Sequence, residues 1–257
     1  MFMNKKENLF NKYFKIGSLN ELDKYEIYYL NCIKKFIIDY YENIGVNFDN
    51  EIRYILKTQF PSPKFVPKSQ NEGIKNELIL LSIEKYSSWC QVIYQLSHEV
   101  THCFIYCNNK DEAFKASWIE ETICEAMSLY FLKLFYKFWR DCDLSKLNNN
   151  YSDSIKKYLD DILQKDNGTN RLYNCKNINE LLIINEHSQE KRNDRYNEMI
   201  DLYNKINKNN IIGLIKYKDY IIKNKFLLNT EEYKMAYKNN EAVALICNIQ
   251  DRILITQ

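Results

Sequence analysis

The sequence predicts an α+β protein that is mainly helical, with a small N-terminal sheet and a helical C-terminal lobe. Three observations carry this. Only 5 Gly and 3 Pro occur in 257 residues, so long stretches lack helix breakers. Apolar residues recur at helical spacing through most of the chain. Two short segments depart from that spacing: 51–60, rich in β-branched and aromatic residues, and the apolar run 77–83.

The first helix begins near Ser18, where Ser18 and Glu21 have capping-box spacing. Leu22, Tyr25, Tyr29, Ile33, Phe36, Ile37 and Tyr40 then form its apolar stripe, and Gly45 is placed to stop it. Segment 51–60 reads as a strand. Pro61, Pro63 and Pro67 make the next stretch an extended loop. Run 77–83 is too short for a helix and reads as a strand. A helix over 87–107 follows, anchored by Val92, Leu96, Val100 and Cys103 on one face.

Residues 108–115 read as a connection. The next helix, 117–139, opens on a second capping-box spacing, Ser117 to Glu120. It is apolar on most sides, through Ile123, Met127, Leu129, Tyr130, Phe131, Leu134 and Phe135, so it should be buried. Further helices are expected at 152–165, 178–186, 194–207, 210–224, 230–238 and 241–254, with a loop at 167–170. The polar run Leu147-Asn148-Asn149-Asn150 suggests a boundary. It divides residues 1–140, with the N-terminal helix, sheet and motif helices, from a helical lobe at 141–257, unless both form one compact domain.

A net charge of +2 gives no reason to expect a nucleic-acid or membrane-surface partner. No apolar stretch reaches the ~18 residues that span a bilayer, and the N-terminus lacks the apolar run of a signal peptide. The 8 cysteines are therefore expected to be free thiols in a cytoplasmic protein.

The chemistry sits at His98-Glu99-Val100-Thr101-His102, which holds two of the three histidines. On a helix, positions i and i+4 share a face, so both imidazoles can reach one zinc ion. Glu99 is placed to take a proton from a metal-activated water. Catalytic zinc usually has three protein ligands and one open position. A third histidine in the H-E-x-x-H-x-x-G-x-x-H pattern is excluded, since Ile105 stands where that pattern needs glycine.

A Glu on the following helix remains, in Trp118-Ile119-Glu120-Glu121-Thr122-Ile123-Cys124-Glu125. Here the chain resembles the gluzincins, the thermolysin-like zinc metallopeptidases, over about residues 75–135. The resemblance implies a zincin-like fold and a Glu about twenty residues after the second His as third ligand. It also implies an acidic residue four positions later that orients a ligand imidazole. Glu121 lies 19 residues after His102, and Glu125 four after Glu121. Glu120 competes with Glu121, but only Glu121 shares a helix face with Glu125, and Glu120 already has a place in the capping box.

The resemblance further implies that strand 77–83 is the sheet edge where an extended peptide pairs. It implies a C-terminal-lobe His and Tyr at the oxyanion. His187 is the only histidine left for that role, near Arg192, Arg195 and Tyr196; the other reading makes it a surface residue. Cys103 and Cys107 repeat the i, i+4 spacing out of phase with the histidines and read as small buried hydrophobes. The expected function is zinc-dependent hydrolysis of a peptide or protein substrate. The alternative is a zincin-fold binding or regulatory module without turnover.

Overall fold

The computed structural model describes residues 14–16, 24–46, 53–57, 61–70, 76–109, 116–165, 169–222 and 226–255. The expected cap at Ser18 and Glu21, and residues 110–115 of the connection, lie outside these. The protein is mainly helical with one small sheet. Its contacts sort it into two units, one of residues 1–107 and 131–159, the other of 108–130 and 160–257.

In the first unit, strands β1 (Phe14–Ile16), β2 (Arg53–Lys57), β3 (Lys64–Val66) and β4 (Leu78–Leu81) form a sheet in the order β1-β2-β4-β3. β1, β2 and β4 are parallel, and β3 pairs antiparallel to β4 with Phe65 opposite Ile79. β4 is apolar at every position, as a strand covered on both faces requires. It is therefore internal, which corrects the expectation that 77–83 is the sheet edge. The edge is β3, inside the proline-rich segment read as loop. Prolines lack an N–H and are tolerated beside an edge strand, and Pro63 and Pro67 flank this one.

Helix α1 (Lys24–Glu42) buries Leu30, Ile33, Ile37 and Tyr41. It stops at Gly45, as expected. The Val46 N–H donates to the Tyr41 carbonyl and the Gly45 N–H to the Glu42 carbonyl, with Gly45 at φ 82°. This pattern closes a helix end through a left-handed residue. A Cβ at Gly45 would touch nothing within 4 Å, so Gly45→Ala isolates the backbone cost. Chemical denaturation should show a loss of about 1–2 kcal/mol; unchanged stability would contradict the assignment.

Helix α2 (Trp89–Cys107) is the predicted motif helix, and it packs on α1, β3 and β4. The Gln95 side chain donates to the Ser82 carbonyl at 2.9 Å, fastening the helix to the end of β4. Tyr41 and Thr101 share a buried hydroxyl contact at 2.7 Å, and the Tyr41 ring lies 4.2 Å from Phe104. Helix α3 (Ser117–Phe138) belongs to the second unit through Tyr130 and to the first from Phe131 onward. In the first unit the Phe135 ring lies tilted against Phe36 at 4.4 Å, and Phe131 meets Tyr40 edge-on at 5.4 Å. Trp89, Trp139 and Tyr151 form an aromatic cluster, with Tyr151 opening α4 (Tyr151–Leu163).

The second unit is helical. It holds the first half of α3 with α5 (Arg171–Asn174), α6 (Ile178–Glu186), α7 (Tyr196–Lys205), α8 (Ile211–Ile215), α9 (Thr230–Ala236) and α10 (Glu241–Ile255). Two of these start alike. Asn177 accepts from the Glu180 N–H ahead of α6, and Asn229 from the Glu232 N–H ahead of α9. Helix α10 packs on α6, α7, α8 and α9. Its buried Gln250 side chain satisfies both the N–H and the carbonyl of Leu228 at 2.8 Å each. The expected helix 210–224 ends early, and its second half is a short 3₁₀ segment, Tyr217–Tyr220.

Among the described residues, no helix is long and apolar enough to cross a membrane.

Candidate metal centre

The site begins with the motif helix. Within it, Ser97 donates to the Ile93 carbonyl and Thr101 to the Ser97 carbonyl, each at 2.6 Å. Thr101 also meets Tyr41, so the polar residue between the two histidines is tied to α1. The spacing then puts His98 and His102 on adjacent turns of one face. Their Nε2 atoms converge to 3.1 Å. Two nitrogens each ~2.0–2.1 Å from one tetrahedral zinc lie about 3.3 Å apart, so the pair is already set for a shared ion. His98 is buried and His102 half-buried, while Glu99 between them is only 3 % exposed.

His98 and His102, both in the first unit, thus present two converging ligand nitrogens. Glu121 is buried near the start of α3. Two imidazoles and a carboxylate are a donor set that zinc accepts, with a fourth position left over.

The start of α3 lies in the second unit and is fixed there by local bonds. Ala116 accepts the N–H groups of Ile119 and Glu120, and the Trp118 N–H donates to Asn185 Oδ1 at 3.2 Å. Glu120 has a task other than the capping box expected for it. Its Oε2 accepts from the Tyr217 hydroxyl at 2.7 Å and pairs with Lys218 Nζ at 2.8 Å. Glu120 is thereby committed to the second unit's own packing, and burial with the Glu120 charge drives the Tyr217 phenol well above its ordinary range.

Glu125 pairs with Arg192 at 2.8 Å through its Oε2. Arg195, one turn on, is 2 % exposed. Burial lowers its pKa, and the nearby charges of Glu121, Glu125, Asp194 and Glu198 act in the opposite sense. This buried guanidinium is a feature that spacing did not assign. The only signal in the sequence was three basic residues in the polar stretch before Tyr196.

His187 lies at the C-terminal end of α6, with its side chain 45 % exposed and Nδ1 3.9 Å from Glu190. It is not part of the ligand group, and Tyr196 donates to the Ile162 carbonyl.

Glu198 is 2 % exposed, and its carboxylate oxygens lack a hydrogen-bond partner among the described residues; the nearest cation is Arg252, at 4.0 Å. Burial pushes its carboxyl up to about 7. An unfolded Glu ionises near pH ~4.3, so the folded chain holds the proton over a wider range. Stability is then greatest below that value and falls as pH rises toward 7, by on the order of 3 kcal/mol. Glu198→Gln should flatten the stability profile between those limits; a variant that keeps the slope would show that another group sets it.

The chain matches no family model, no curated protein and no solved structure.

Proposed function

We propose that the protein is a zinc-dependent metallopeptidase of zincin type, acting on a peptide or protein substrate. The observation that carries this is the convergence of the His98 and His102 Nε2 atoms at 3.1 Å on one face of the motif helix. His98, His102 and Glu121 would hold the ion. A bound zinc would supply Lewis acidity, lowering the pKa of a coordinated water toward ~7 and polarising the scissile carbonyl.

The residues then divide the remaining work. Glu99, buried beside both imidazoles, takes the proton that water gives up. A carbon–oxygen bond forms at the carbonyl, the carbon–nitrogen bond breaks, and Glu99 returns the proton to the departing amine. Arg192 holds one Glu125 oxygen, leaving the other to orient a ligand imidazole. The buried Arg195 guanidinium lies close enough to Glu121 and Glu125 for their charges to act on it. We place the chain in a reducing compartment such as the cytoplasm, where its eight cysteines would stay thiols.

The test is cleavage of a peptide library by the whole chain. Wild type should cut; a chelator should abolish cutting, and added zinc should restore it. Zinc-loaded protein that binds peptides and cuts none would favour the binding module.

A further inference from the structure

We propose that Glu77, Cys103 and Cys107 form a second site, rich in sulfur, for a borderline or soft divalent cation such as zinc. Each residue offers one ligand atom, and the three atoms lie within 4.8 Å of one another. Cys103 Sγ stands 3.9 Å from Glu77 Oε2. In a tetrahedral zinc site, a sulfur at ~2.3 Å and an oxygen at ~2.0–2.2 Å lie about 3.6 Å apart, so that edge is nearly formed. Only the Cys107 corner needs to close.

The site is distinct from the histidine pair. Both pairs ride on α2 at i, i+4, but five positions separate them, which turns their faces apart by about 140°. All three ligands belong to the first unit. Glu77 immediately precedes β4, and its carbonyl accepts the Tyr54 N–H at 3.0 Å, fixing it to the sheet. Cys103 is fully buried and Glu77 is 2 % exposed, while Cys107 is half-buried. Two ligands are therefore dry and the third opens toward solvent, which gives an ion a way in.

Charge points the same way. Cys107 is the last residue of α2, where the carbonyl end of the helix favours a cation. On binding, both thiols release their protons to solvent, so a dication with two thiolates and one carboxylate leaves a single negative charge. Thiolates select zinc, cobalt or cadmium over magnesium and calcium. The ion would clamp the end of the motif helix to the central strand.

The test is titration of the metal-free full chain with Co²⁺. Wild type should develop a near-ultraviolet thiolate-to-cobalt band. The band should persist in His98→Ala/His102→Ala and vanish in Cys103→Ser/Cys107→Ser. Alkylation mapped by mass spectrometry on wild-type protein gives a second readout that needs no variant. Cd²⁺ should slow modification of Cys107 at least tenfold relative to Cys142, a half-buried control outside the cluster. A missing thiolate band, or equal Cys107 alkylation with and without Cd²⁺, would overturn the site while leaving the histidine centre untouched.

Discussion

Glu99→Gln is expected to slow peptide cleavage by about 10²–10⁴-fold at unchanged zinc content. The substitution keeps the size and shape of a side chain that is 3 % exposed, so the helix and its packing should persist. What it removes is the ability to accept a proton. An amide cannot take the proton from water or return it to the leaving amine. His98, His102 and Glu121 remain, so the ion should remain. The measurement is a rate on the best library peptide, with metal analysis of the same sample and an unchanged melting temperature as control. A rate within a fewfold of wild type would remove Glu99 from the chemistry.

Arg195→Met should cost about 3–5 kcal/mol, because removing one partner from a buried charge cluster strands the others. Methionine nearly fills the aliphatic space but leaves Glu121, Glu125, Asp194 and Glu198 without the guanidinium whose charge acts on them. For a chain of this size that corresponds to roughly 6–20 °C in melting temperature. Adding Glu198→Gln should change that loss little below pH 7, since burial already keeps the Glu198 carboxyl protonated up to about 7. A single variant that melts within about 2 °C of wild type would show that the cluster is solvated and contributes little.

The helices were legible because their evidence is local. An apolar stripe repeats inside one segment, so the bounds of α2, α3, α6 and α10 fall within a residue or two of those expected. The end of α1 was legible for the same reason, since only the local conformation at Gly45 decides it. β3 was not. Three residues between prolines show no alternation, and their strand character comes from pairing with β4. The interior position of β4 is likewise a property of its neighbours. The break in 210–224 follows from Tyr217, which turns to reach Glu120 across 97 positions of sequence.

The ligand set divides in the same manner. His98 and His102 are one turn apart on one helix, so spacing alone defines their geometry. Glu121 needed the period of a second helix, which puts it and not Glu120 on one face with Glu125, while Glu120 also bonds Tyr217 and Lys218. Arg195 carries no motif. Its importance comes from burial among carboxylates drawn from α3 and α7 and from Asp194 beside it, which only the folded chain assembles.

The central claim is that one ion joins His98, His102 and Glu121. Elemental analysis after exhaustive dialysis against zinc-buffered solution tests it most directly, with wild type beside His98→Ala/His102→Ala and Glu121→Gln. The account predicts that the histidine variant loses one zinc equivalent per chain and that Glu121→Gln binds that equivalent at least tenfold more weakly. Zinc content identical in all three proteins would contradict it.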